Sequence, residues 1–417
     1  MKDMMILGKN RYYSMDCYET QLNNNVLVVG AAGTGKTRSI VSPNILQATG
    51  SYVITDPKGN LYDKYGAYLR EKGYVVKKLD FTKPEKSAGY NFFHYIHNTQ
   101  DIMKIAHMMI YQRNSMYSSR DPFWDESSEI LLSAVMAYLW EARPKEEQTL
   151  HNILKLVNVC DISESNSAYA TVLDRIINEH EKRNKDSFAV SQYKKFRIAA
   201  AKTMMSILIS VNSRIGRFDT PELDSLLSKD TIDIPSIGKR KTALFVVVSD
   251  TDRSLDGLVN LFFTQAMNEL CRYADEKCKN NCLPVPVRFI MDDFATNCTI
   301  EDFPRMIASF RSRGISTMLM IQAESQLKQQ FDYDSRTIIG NCDTYVYLGG
   351  NDVDTAQQIA LRCNMPLTKV LEMPIGASWI FRRGEKPVLA QNFVLEDYDK
   401  EILLGGVENV EDYALGA

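Results

Sequence analysis

Asn25-Val26-Leu27-Val28-Val29-Gly30-Ala31-Ala32-Gly33-Thr34-Gly35-Lys36-Thr37 decides how this chain is read. The apolar run up to Val29 has no polar alternation, as expected of a parallel strand buried on both faces. From Gly30 to Thr37 the residues fit G-x-x-x-x-G-K-[ST], and a helical pattern follows, which is the context that motif requires. Glycines in such a loop let backbone N–H groups curl around phosphates, and the helix N-terminus adds partial positive charge. Gly30, Ala31, Ala32, Gly33, Thr34, Gly35, Lys36, Thr37 and the adjoining Arg38 are therefore the expected nucleotide-binding residues. In these roles Lys36 reaches the β- and γ-phosphates of ATP, and the Thr37 hydroxyl binds Mg²⁺.

Working outward, two further apolar runs at 51–56 and 73–79 flank a helical stretch at 61–72. Strand–helix alternation of this kind predicts a parallel sheet with right-handed crossovers. The rhythm breaks between 99 and 227, where apolar residues recur at three- and four-residue spacing, as in Ile130-Leu131-Ala134-Val135-Tyr138-Leu139. Strands resume at 242–248, 287–292, 317–322 and 344–348. Residues 378–381 and 387–390, joined through Arg383-Gly384, read as a closing hairpin. The expected organisation is an α/β domain of residues 1–98 and 228–417, carrying an all-α insertion at 99–227. The acidic stretch 396–412 reads as a partly ordered tail.

A phosphate-binding loop implies a second metal contact at the end of another buried strand. Asp292 closes the run 287–292 and is placed to hold Mg²⁺ with Thr37. Asp293 follows, where it could orient the attacking water. Gln322 ends the next strand and could sense a γ-phosphate. Arg311 and Arg313 lie on the turn before that strand, and either could act as an arginine finger toward a neighbouring subunit's nucleotide.

The chain has 417 residues, 45% hydrophobic and 24% charged, with 21 Gly and 13 Pro. Disordered, collagen-like and low-complexity classes are excluded by those proportions. Lys+Arg 49 against Asp+Glu 52 leaves a net charge of −3, so any nucleic-acid contact must come from a local patch or an assembled channel. Eight cysteines without dense spacing point to a reducing compartment. Cys271, Cys278 and Cys282 lack the spacing of a structural zinc site. No apolar run approaches the roughly 20 residues that span a bilayer, so the sequence reads as soluble.

The motif set is more specific than the loop alone. Ser42-Pro43-Asn44, Asp56-Pro57-Lys58-Gly59, Asp292-Asp293-Phe294, Ile321-Gln322-Ala323-Glu324-Ser325-Gln326-Leu327, Gly340-Asn341-Cys342 and Leu348-Gly349-Gly350-Asn351-Asp352 occur in this order. Over nearly the whole chain this resembles the type IV coupling proteins, the TraG/TraD-class ATPases of conjugation and type IV secretion. The resemblance implies a RecA-like P-loop NTPase domain, with a mainly parallel central sheet, bearing an all-α domain. It also implies DNA-stimulated ATP hydrolysis by a hexamer at the cytoplasmic face of the bacterial inner membrane. The implied partners are a relaxase with its DNA strand, expected single-stranded, and the components of the type IV secretion channel.

Two departures stand out. Family members usually begin with transmembrane helices, so either that anchor lies outside this sequence or the chain is a naturally soluble member. Asp293 stands where the usual residue is Glu, one methylene longer, which bears on hydrolysis rather than on binding. Two other functions are weighed beside the coupling ATPase. One is a nucleotide-gated docking protein with marginal hydrolysis, and the other an FtsK-like DNA translocase. Lys182, Arg183, Lys185, Lys194, Lys195, Arg197, Lys202, Arg214 and Arg217, interleaved with Tyr193 and Phe196, read either as a phosphate-contacting patch or as a solvated face.

Overall fold

The computed structural model describes residues 3–111, 121–160, 171–294, 300 and 302–398. The acidic stretch expected at 396–412 lies, from 399 onward, outside the described residues. Strands run in chain order β1 (Met4–Gly8), β2 (Arg11–Ser14), β3 (Val26–Val29), β4 (Ser51–Thr55), β5 (Val75–Asp80), β6 (Thr242–Val247), β7 (Val287–Met291), β8 (Ile315–Ile321), β9 (Thr344–Tyr347), β10 (Ala377–Arg382) and β11 (Val388–Gln391). Nine of them form one sheet in the order β11-β10-β9-β3-β8-β7-β4-β6-β5. From β9 to β5 every neighbouring pair is parallel, and β10 and β11 close one edge as an antiparallel hairpin.

The first three strands of the sheet in the sequence are not neighbours. Strands β7 and β8 separate β3 from β4, and β6 separates β4 from β5. Strands β3, β4, β6, β7, β8 and β9 are buried on both faces, which is why they read as mainly apolar runs, whereas β5 is only half-buried over Val75–Lys78. Side chains alternate between two cores: Leu27 and Val29 of β3 join one cluster, and Val26 and Val28 join the other.

Between β5 and β6 no strand occurs among the described residues. Helices Thr99–Ile110, Pro122–Ala142, Leu150–Asn158, Val172–Arg183, Phe188–Arg197, Ala201–Ile215, Pro221–Leu227 and Ile234–Lys239 fall in this interval. Their apolar faces share the larger cluster with Leu244, Val246 and Phe289 of the sheet, so one continuous core runs through both parts.

A feature absent from the sequence reading is the ribbon of β1 and β2. The buried Asn44 side chain holds it in place. Its amide oxygen accepts from the Ile6 N–H at 3.0 Å, and its NH₂ donates to the Ile6 carbonyl at 2.7 Å and to the Ile40 carbonyl at 2.7 Å. The role of Ser42-Pro43-Asn44 is thus structural. Thr37–Val41 forms a widened π turn before the α-helical segment Ser42–Leu46, and Pro43, which has no N–H to give, stands in the first turn of that segment.

Candidate nucleotide site

The loop after β3 leaves the sheet at its carboxyl edge, where a doubly wound sheet opens its crevice. Gly33 (φ +80°) and Gly35 (φ +86°) occupy the left-handed region, which side-chain-bearing residues adopt only at a cost. The backbone of Ala31 is tied from behind, its N–H donating to the Gly349 carbonyl at 2.9 Å, which gives the Leu348-Gly349-Gly350 stretch its place. The buried Lys36 ammonium donates to the Gly30 carbonyl at 2.5 Å and to the Ala31 carbonyl at 3.1 Å. Burial pulls its pKa below the usual lysine value, and Asp293 and Asp292 act against that pull.

Asp292 directly follows β7, and its carboxylate accepts from the Thr37 hydroxyl at 2.8 Å. Thr55, at the end of β4, fixes the same residue: its hydroxyl accepts from the Asp292 N–H at 2.5 Å and donates to the Asp292 carbonyl at 3.1 Å. Burial pushes the Asp292 carboxyl up from its ordinary value, while the Thr37 hydroxyl and the Lys36 ammonium pull the other way. A hydroxyl and a carboxylate oxygen side by side on rigid elements form the hard-donor set that suits Mg²⁺. Asp293 takes a left-handed backbone (φ +50°), uncommon for a residue with a side chain.

These groups, with Gln322, line one cleft of about 480 Å³. Ala32, Gly33, Thr34, Gly35, Lys36, Thr37 and Arg38 form its wall, so the residues singled out from β3, β7 and β8 meet in one place. Gln322 is held by its own backbone N–H, which donates to Gln326 Oε1 at 2.8 Å. The exposed Arg38 side chain is ion-paired with Glu396. Two cleft residues had no site role assigned beforehand, Lys58, read only as part of the Asp56-Pro57-Lys58-Gly59 motif, and Asp250. Both follow parallel strands at the carboxyl edge, and that position is the signal that could have found them. In Asp56-Pro57-Lys58-Gly59, Asp56 accepts from the Tyr62 N–H at 2.9 Å and so fastens the start of helix Asn60–Glu71.

Arg311 and Arg313 lie elsewhere. They precede β8 at its amino end, a seven-residue strand, roughly 20 Å, from Gln322. Arg313 donates to both oxygens of Asp275, at 2.9 and 2.8 Å, and to the Ser309 carbonyl at 2.8 Å. Exposed Arg311 donates to the Cys17 carbonyl at 2.9 Å. Neither reaches this chain's own phosphate loop.

Four residues of the basic stretch in the helical part are paired with acids, while Arg183, Lys185, Lys195, Lys202 and Arg217 are exposed. Arg214 is buried against Asp125, Arg197 pairs with Asp174 at 3.0 Å, Lys182 with Glu179 and Lys194 with Glu181 at 2.5 Å. Tyr193 and Phe196 are core residues. No cluster of three or more His, Cys, Asp or Glu side chains among the described residues is arranged to hold a metal ion, and all the described cysteines are free. No helix among the described residues is long and apolar enough to cross a membrane.

Comparison with known proteins agrees with this architecture. The conjugative coupling protein TrwBdeltaN70, in a trigonal form with sulphate, superposes with a TM-score of 0.67 at 15% identity, covering 94% of this chain and 90% of that one. TrwB in complex with ADP and Mg²⁺ gives the same values. VirB4 of Thermoanaerobacter pseudethanolicus matches at a TM-score of 0.57 and 13% identity, covering 93% and 96%. The fold is thus the RecA-like P-loop NTPase fold with helices added. A search of curated protein sequences finds no match. The family model for type IV secretory system conjugative DNA transfer spans residues 2–365, and the chain belongs to that family.

Proposed function

We propose that the chain is the ATP-hydrolysing coupling protein of a conjugative element, linking a relaxase-bound DNA strand or a protein cargo to a type IV secretion channel. The observation that carries this reading is the Thr37–Asp292 contact at the mouth of a glycine loop whose lysine is buried. In this reading the cleft takes ATP with Mg²⁺, and Thr37 and Asp292 hold the metal. Bound there, Mg²⁺ would neutralise charge on the β- and γ-phosphate oxygens. Lys36 exchanges its loop carbonyls for phosphate oxygens, and the loop N–H groups cradle the rest. Asp293 orients the attacking water and accepts its proton, and Gln322 reports the γ-phosphate to helix Glu324–Phe331.

Arg311 or Arg313 would complete the site of a neighbouring copy, which fits their distance from this chain's own loop. That role implies a homo-oligomer, a hexamer in this reading, seated at the cytoplasmic face of the membrane with the helical unit 99–227 turned to cargo. A second reading, nucleotide-gated docking with marginal hydrolysis, is favoured by Asp293, whose short side chain stands on a left-handed backbone.

Steady-state ATPase activity against protein concentration, with and without single-stranded DNA, tests the proposal. A rate per subunit that climbs with both and vanishes in Lys36→Ala is expected. A flat, negligible rate beside tight ATP binding transfers the assignment to docking, and wild-type turnover by Lys36→Ala overturns both.

A further inference from the structure

A cavity of about 630 Å³, larger than the nucleotide cleft, lies not at the phosphate loop but at the other end of the same strands. Ser51 and Tyr52 begin β4, Val287 and Arg288 begin β7, and Ile315 and Ser316 begin β8; all six line it. We propose that this cavity binds a phosphate group carried by a ligand of nucleotide size, with the Arg288 guanidinium as its anchor and Arg311 at its mouth.

Arg288 is 4% exposed, and its buried Nη2 has no hydrogen-bond partner. Its Nε donates to the Ser316 hydroxyl at a long 3.4 Å, and no carboxylate of a described residue pairs with it. A buried donor left without an acceptor is destabilising, and more so when charged. Burial also pulls the Arg288 pKa below the usual guanidinium value, opposed only in part by Tyr52, Cys17 and Asp3. The buried Arg214 of the helical part meets the Asp125 carboxylate, so an arginine as buried as Arg288, lining a cavity without such a partner, marks a place for an incoming anion.

The planar fork of a guanidinium matches phosphate oxygens in pairs. Arg311 also lines the cavity and leaves it a second cation, while Ser312 and Ser316 add hydroxyls. Asp3 and Asp16 line it too, but the Asp16 carboxylate is engaged with the Tyr18 and Glu19 N–H groups at 2.8 and 3.1 Å. The volume exceeds that of the nucleotide cleft, so it admits a base and sugar beyond the phosphate. A free nucleotide and one unit of a DNA strand offer the same group.

Cys17 and Cys282 in the cavity wall supply a local readout. Burial pushes the Cys17 thiol up and Arg311 opposes this, so an anion on Arg311 lowers its reactivity besides shielding it. The experiment is alkylation of individual cysteines by iodoacetamide, followed by mass spectrometry, in full-chain Lys36→Ala, whose first site is disabled. Failure of the ATPase proposal therefore leaves this one standing, and the reverse.

Inorganic phosphate, AMP and an oligothymidylate are added in turn, with Cys363 as the internal reference. Several-fold slowing at Cys17 and Cys282, lost when Arg288→Met is added, is the expected result. Protection by phosphate and AMP assigns the group to a free nucleotide, and protection by the oligomer alone assigns it to a strand. No protection by any of the three, or protection that survives Arg288→Met, overturns the proposal. If Arg288→Met does not fold, Arg288→Lys takes its place: weakened protection supports the proposal and unchanged protection overturns it.

Discussion

The helical run between β5 and β6 and the sheet that it interrupts bury charge in opposite ways. In the helices the buried ions are closed pairs. Arg214 meets Asp125 and also donates to the Ile110 carbonyl at 2.7 Å. His180 meets Glu141 at 2.9 Å, and the same carboxylate accepts from Ser187, Phe188 and Ala189 at the start of helix Phe188–Arg197. At the phosphate loop and at the start of β7 the buried cations have no such carboxylate pair among the described residues. Lys36 rests on carbonyl oxygens and Arg288 on a single serine at 3.4 Å. Closed pairs fix how helices pack, whereas open ones leave capacity for something that arrives.

Truncating one member of each kind breaks this comparison or sharpens it. Asp125→Ala strands the Arg214 charge in the helical core and should cost about 3–5 kcal/mol, read from the denaturant midpoint. An unchanged midpoint would mean that the pair is not closed in the sense argued. Lys36→Ala should leave the thermal midpoint nearly unmoved yet reduce ATP turnover about 10²-fold or more. A large loss of stability without loss of turnover would reverse the roles of the two regions.

The seam between the regions gives a third, smaller effect. Glu269, on helix Asp256–Lys277, contacts His97 at 2.9 Å and lies near Arg272, Asp101 and Glu276. Burial, with Asp101 and Glu276 adding, pushes its carboxyl from 4.5 up to about 7. Between those values the folded chain holds a proton that the unfolded chain has lost, so stability falls as pH rises through this window. Glu269→Gln should flatten that slope, which thermal melts from pH 5 to 8 would reveal. An undiminished slope would place the titration elsewhere.

What was legible in the sequence follows the same division. Strands β3, β4, β6, β7, β8 and β9 stood out because burial on both faces keeps their runs mainly apolar. Lys36, Thr37, Asp292, Asp293 and Gln322 were legible because the carboxyl edge of a parallel sheet gathers strand ends into one crevice. The β1–β2 ribbon was not, since its anchor is one asparagine 38 residues away. Nor was the pairing of the basic stretch, where Asp125 and Asp174 arrive from other helices and only folding brings them to Arg214 and Arg197. Arg288 passed as one more strand residue, because sequence does not reveal whether a buried charge has found its partner.

The Asn44 side chain also says something about how the molecule breathes. It joins a peripheral two-stranded ribbon to the helical segment that begins at the phosphate loop, so those amides belong to one cooperative opening unit. In hydrogen–deuterium exchange the Ile6 amide should be protected as long as the amides of Ile40 and Val41, while the half-exposed Arg11–Ser14 strand beside it exchanges sooner. A ribbon at the edge of the structure would then report, in its exchange rate, how firmly the loop beneath the phosphates is held.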